Sequence, residues 1–115
     1  MQELIDKRNE LERLLEDELA TCRRSGIQLA ENEAAYRKAL RVEILKERAK
    51  GTPVSIISDL CRGMEHIAEL KLARDSADAV YKASQEAINV RKLRLRMVDA
   101  DIQRIWNSGG INYGE

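Results

Sequence analysis

The side chains most readily recruited as metal ligands or general bases near neutral pH are few in these 115 residues: one histidine, His66, and two cysteines, Cys22 and Cys61. Neither cysteine has a Cys or His partner at metal-ligand spacing, so no metal site is expected. Two cysteines are also too few for a disulfide framework and fit a reducing compartment. The carboxylate pairs Glu43/Glu47 and Asp75/Asp78 each lie on one helix face. Such pairs can ligate a cation or exchange a proton, but no base stands beside them, so solvated helix surface is the expected role. The six glycines spell neither a phosphate loop nor a dinucleotide fingerprint. With no nucleophile and base in register, the expectation is a protein that is not an enzyme. It has no catalytic residue, no cofactor and no small-molecule substrate.

Binding chemistry is better represented. Arg23 and Arg24 lie in a stretch without acids, and so do Arg91, Lys92, Arg94 and Arg96. Arg23, Arg24, Arg91, Lys92 and Arg94 are the candidate residues for phosphate or for an acidic partner surface. Against that, Asp17, Glu18, Glu31 and Glu86 are near enough in sequence to neutralise them. A second candidate is apolar: Val54, Ile56, Ile57 and Leu60, which either close the end of a core or dock a partner.

The elements that must position these residues are helices. The chain is rich in Ala, Glu, Leu, Lys and Arg, and has no Phe, one Trp and one Pro. Leu4, Leu11, Leu15, Cys22, Leu29, Tyr36, Leu40 and Ile44 recur at the α-helical period and predict a helix over about 2–50. Ile67, Tyr81, Ile88, Leu95 and Ile102 recur at sevens, with Leu70, Ala77, Ser84, Arg91, Val98 and Ile105 as a companion row. These are two coiled-coil seams over about 64–106, with polar defects at Arg74, Ser84 and Arg91. Ala73, Val80 and Ala87 widen that face. Between the long helices, Thr52 reads as an N-cap, Pro53 as a first helical residue and Gly63 as a C-terminal glycine, giving a short helix over about 53–61. Gly26 loosens or bends the first helix, and residues 107–115 read as a flexible tail.

An antiparallel hairpin bent about residue 57 sets side by side residues whose numbers sum to about 114. Residues 1–20 carry seven acids and three bases, and residues 91–115 five bases and three acids, so the acidic start faces the basic end. The same register brings Tyr36 toward Tyr81, Trp106 toward Arg8, and Arg23 toward Arg91 as a positive hub. Cys22 and Cys61 stay apart, so no intrachain disulfide is expected. A two-helix hairpin leaves the widened face of its second helix open, so the expected architecture is all-α, an antiparallel coiled-coil hairpin that dimerises into a four-helix arrangement. Charges interrupt every apolar run, and neither a membrane span nor a signal peptide is expected.

The stretches Glu69-Leu70-Lys71-Leu72-Ala73-Arg74-Asp75, Tyr81-Lys82, Glu86-Ala87-Ile88-Asn89-Val90 and Val98-Asp99-Ala100-Asp101-Ile102-Gln103-Arg104-Ile105-Trp106, with the Gly51-Thr52-Pro53-Val54 turn, resemble small coiled-coil proteins of phages and prophages of Gram-positive bacteria. The resemblance spans about residues 40–106 and carries no site residues. It implies a setting in the cytoplasm of an infected bacterium, among early genes of DNA metabolism or host takeover. The leading expectation is therefore a homodimeric phage accessory protein that binds a replication or recombination protein, or DNA. The alternatives are an inhibitor of a bacterial defence nuclease, using Glu10, Glu12, Glu16, Asp17 and Glu18 as phosphate mimics, and a scaffold coiled coil.

Overall fold

A computed structural model describes residues 1–113 and, within them, three helices: α1 (Gln2–Ala49), α2 (Val54–Arg62) and α3 (Glu65–Tyr113). Side chains are described through Gly109. The described residues are all-helical apart from the turns between these elements, and no strand occurs among them. α3 runs on to Tyr113, past the Asn107 where the sequence ends it. Residues 114 and 115 of the expected tail lie outside the described residues.

Local chemistry sets the ends. α1 closes through a left-handed glycine, Gly51 at φ 82°. The Thr52 N–H donates to Glu47 O at 3.2 Å and the Gly51 N–H to Arg48 O at 3.1 Å. Those two bonds satisfy carbonyls that a helix end otherwise leaves bare. Thr52 is not the N-cap of α2. That place belongs to Pro53, which makes no side-chain cap bond, while the Thr52 hydroxyl donates to Glu47 Oε2 at 2.7 Å. Gly63 does close α2, but in the right-handed region at φ −80°.

The chain divides into two units, Arg23–Lys82 around the turn and a terminal unit of Met1–Cys22 with Ala83–Glu115. Within the turn unit α1 and α3 are antiparallel. Asn32 Nδ2 donates to Ala73 O at 3.1 Å, Arg74 pairs with Glu33 at 3.4 Å, and His66 approaches Glu43 at 3.4 Å. Ile57, Cys61, Ile67 and Tyr36 form its buried core. α3 begins opposite Glu43, so the last turns of α1 have no α3 residue across from them. α2 covers that overhang with Ile57 and Cys61, and the Cys61 thiol lies close enough to Glu47 and Glu43 to feel their charge.

Within the terminal unit α1 and α3 are again antiparallel. Arg8 Nε reaches Asp99 at 2.6 Å, and Arg91 reaches Glu18 at 2.7 and 2.8 Å. Leu11, Ile88 and Val98 are its buried apolar residues.

These partners correct the expected register. Glu18 stands opposite Arg91 where the sequence sets Arg23, and Asp99 stands opposite Arg8 where it sets Trp106, which is 67% exposed. Tyr36 does not meet Tyr81. It packs under the Arg74 guanidinium, 4.6 Å from ring centroid to Cζ, while the Tyr81 ring lies against Gly26, ten residues or about 15 Å earlier on α1. Within the turn unit the physical reason is the α1 overhang, because α2 packs back on α1 and α3 therefore begins opposite Glu43. Gly26 is thereby a seat for a ring: a Cβ there would stand 3.1 Å from Tyr81 Cε1.

Candidate docking surface at the turn

Nine residues make α2, and two adjacent stripes of it are apolar. Ile57 and Cys61, four apart, face inward, at 3% and 0% exposure. Ile56 and Leu60, also four apart, form the neighbouring stripe and are about half exposed, and Val54 at the helix start is 76% exposed. Of the four apolar candidates, Ile57 thus belongs to the core, Ile56 and Leu60 form an exposed ridge, and Val54, two residues before Ile56, is exposed on the far side of the inward stripe. The expected core-closing role falls to Ile57 of the four, beside Cys61, while Ile56 and Leu60 stay exposed on the neighbouring stripe.

Exposed charges at this end of the unit lean positive. Arg48, Lys50, Asp59 and Arg62 are exposed on the end of α1, the turn and α2. Glu47 is committed internally, since its carboxylate takes the Thr52 hydroxyl and the Lys50 ammonium at 3.3 Å. Those bonds hold Glu47 below the usual carboxylate range, with the hydroxyl the larger cause. Burial, then the charges of Glu47 and Glu43, push the Cys61 thiol up, so this cysteine is a core residue and a poor nucleophile. Cys22 is likewise a free thiol.

Further along the same unit, a groove of about 510 Å³ is lined by Tyr36, Arg37, Leu40, Lys71, Arg74, Glu33 and Arg62. Three of its cations are already engaged. Arg37 binds Glu33 at 2.6 Å, Arg74 binds Asp75 at 2.8 Å as well as Glu33, and Lys71 approaches Asp75 at 3.7 Å. Arg74 is pushed up and Asp75 down by their shared hydrogen bond. This network explains how a cation occupies a coiled-coil seam: the guanidinium spreads over the Tyr36 face and keeps its fork on carboxylates.

The basic candidates divide between the units. Arg23 and Arg24 are exposed in the turn unit, and Arg24 has an interaction of its own. Arg91, Lys92 and Arg94 belong to the terminal unit, where Lys92 and Arg94 are exposed. Arg91 is half-buried and donates through Nε and Nη2 to Glu18 Oε1, so most of its guanidinium is already spent on a carboxylate of the chain. On the acidic side Glu10 and Asp17 bind Arg13, and Glu12 binds Arg8. The carboxylate pairs are also occupied, with Asp75 on Arg74 and Lys71, Asp78 on Lys82, and Glu43 beside Lys46 and His66. Among the described residues no three His, Cys, Asp or Glu side chains are grouped to hold a metal, and no helix is long and apolar enough to cross a membrane.

No family model matches the chain, and neither does any curated protein or solved structure. What the fold defines is a class of architecture, an all-α chain of two long helices joined through a short third. The exposed ridge of α2 was legible as four apolar residues between Pro53 and Gly63. The Arg74–Tyr36 stack was not, because nothing in the seven-residue repeat says which defect finds an aromatic face.

Proposed function

We propose that the chain is a non-enzymatic binding protein whose α2 ridge docks on another protein. The observation that carries this reading is the exposure of Ile56 and Leu60 on a helix whose adjacent stripe, Ile57 and Cys61, is core. A nine-residue helix held by Ile57 and Cys61 presents those side chains on a fixed backbone, so little ordering entropy is lost on docking. The partner surface is an apolar pocket rimmed by acids, complementary to Arg48 and Lys50. The resemblance to phage coiled-coil proteins suggests a bacterial or phage protein of DNA metabolism, in the cytoplasm of the infected cell. In this reading the chain works as a homodimer that completes a four-helix arrangement.

DNA is the weaker partner. Arg91 is spent on Glu18, and phosphate contact falls to Arg23, Arg24, Lys92 and Arg94. Phosphate mimicry by the acidic stretch is weaker still, since Glu10, Glu12, Asp17 and Glu18 serve arginines of the chain itself.

The test is affinity capture from phage-infected bacteria with a photo-crosslinking residue at the exposed Asp59 beside the ridge, compared among wild type, Ile56→Asp with Leu60→Asp, and Arg94→Glu. A crosslinked protein lost in the ridge variant and kept in Arg94→Glu is the expected result. Crosslinking that survives both aspartates refutes the ridge. A salt-sensitive DNA complex abolished by Arg94→Glu transfers the function to the basic residues.

A further inference from the structure

Large apolar side chains in the terminal unit are more often exposed than buried. On α3, Val90, Leu93 and Met97 stand at intervals of three and four, each about half exposed or more. Ala83 and Ala100, also exposed, lie seven residues before Val90 and seven after Leu93. That spacing is a coiled-coil seam. It is the second one on this helix, because Ile88, Leu95, Val98 and Ile102 already form the buried or half-buried seam of the α1–α3 pair. A helix with two apolar seams is built for two neighbours, and the unit supplies one.

What covers the outer seam is indicated by the groove beside it. This groove, about 330 Å³, has Leu11 and Val98 among its lining, both buried, with Lys7, Arg94, Met97 and Asp101 around them. Its rim therefore carries both signs. Among the described residues Lys7 and Arg94 have no carboxylate within salt-bridge distance, and Asp101 is paired only along its own helix, with Arg104. A nucleic acid laid here meets Asp101, and a uniformly charged protein surface meets a like charge on one rim or the other. A second copy related by a two-fold axis meets neither penalty, since it can bring Asp101 of one copy toward Lys7 and Arg94 of the other.

We propose that this face of the terminal unit, the Val90–Leu93–Met97 seam with its adjoining groove, is covered by the same face of a second copy, Met97 of each seating in the groove of the other. The inference rests on the dimer in the proposed function and names its interface.

Sedimentation equilibrium of the full chain between about 1 and 200 µM tests it. Wild type is expected to dimerise within that range, and Met97→Lys to raise the dissociation constant at least tenfold with helicity by circular dichroism unchanged. Arg94→Asp weakens the dimer, and adding Asp101→Arg restores it. A wild type that stays monomeric throughout overturns both the interface and the dimer. A dimer that Met97→Lys and Val90→Lys leave at the wild-type constant overturns this interface alone. Should the lysine variants lose helicity, a spin label on Met97→Cys decides. A short intermolecular distance supports the face, and no measurable intermolecular coupling in a dimeric sample overturns it.

Discussion

Gly26 and Tyr81 show how a single missing methyl makes room for a ring between two helices. In an isolated helix glycine costs about 1 kcal/mol relative to alanine. Here that cost makes room for a ring, since a Cβ would come 3.1 Å from Tyr81 Cε1. The two effects oppose each other, so Gly26→Ala alone is expected to change stability by less than about 1 kcal/mol. In a Tyr81→Ala background the clash is gone and Gly26→Ala should stabilise by the full helix-propensity difference of about 1 kcal/mol. Chemical denaturation of the four proteins of this cycle measures the coupling, and strict additivity would show that the ring does not use the glycine. Thr52 is a second residue whose role is visible only in three dimensions. Its hydroxyl lowers the pKa of Glu47, so the bond favours the folded state most where Glu47 is ionised. That stabilisation is complete above the ordinary glutamate range and is lost as pH falls through the lowered folded value. Thr52→Val should therefore lower the melting temperature by a few degrees at pH 7, and the gap from wild type should narrow toward about pH 3. A gap independent of pH would assign the effect of Thr52 to packing.

At the scale of elements, sequence and structure agree on which face of each long helix turns inward, except at Ile105, the last residue of the companion row, which is 46% exposed. Each residue of the α1 stripe from Leu4 to Ile44 is buried or half-buried, and so is each residue of the α3 heptad row from Ile67 to Ile102, Arg74 included. Apolar periodicity reports which face turns inward, and that face is set by local spacing. Register is a different quantity. It depends on how many residues the connection consumes and where α2 packs, and the midpoint of a hairpin contains neither. Arg91 meets Glu18 instead of Arg23, and the expected positive hub loses the pairing that defined it. The ridge of α2 was readable because Pro53 and Gly63 bracket it, whereas the inward turn of Ile57 required knowing the angle at which the helix lies. The glycines on either side of α2 also turn out to differ. Gly51 is left-handed, which costs an L side chain about 1–2 kcal/mol, while Gly63 is right-handed and open, with the nearest carbonyl oxygen 3.5 Å from where an alanine Cβ would stand. Gly51→Ala should destabilise by about 1 kcal/mol, and Gly63→Ala should stabilise by about 0.4–1 kcal/mol through the unfolded chain. Equal effects at both sites in urea titrations would contradict the two backbone conformations.

For the whole molecule, zero net charge conceals a division. The turn unit holds twelve Lys and Arg against nine Asp and Glu, and the terminal unit eight against eleven. The positive unit carries the exposed ridge of α2, and the negative one carries the outer seam of α3. If docking and self-association are assigned to different units, they are separable by mutation. Ile56→Asp with Leu60→Asp should remove partner binding and leave the sedimentation behaviour of wild type. Met97→Lys should give a monomer that still binds the partner in solution with unchanged affinity for a single site. On a densely immobilised partner the two-site wild type rebinds before it dissociates, so the monomeric variant should leave at least tenfold faster, a loss of avidity with no contact to the partner removed. Dissociation rates at high and low surface density distinguish the cases. A density-independent difference would mean that Met97 touches the partner itself, and equal rates at both densities would mean that the second copy contributes nothing to binding.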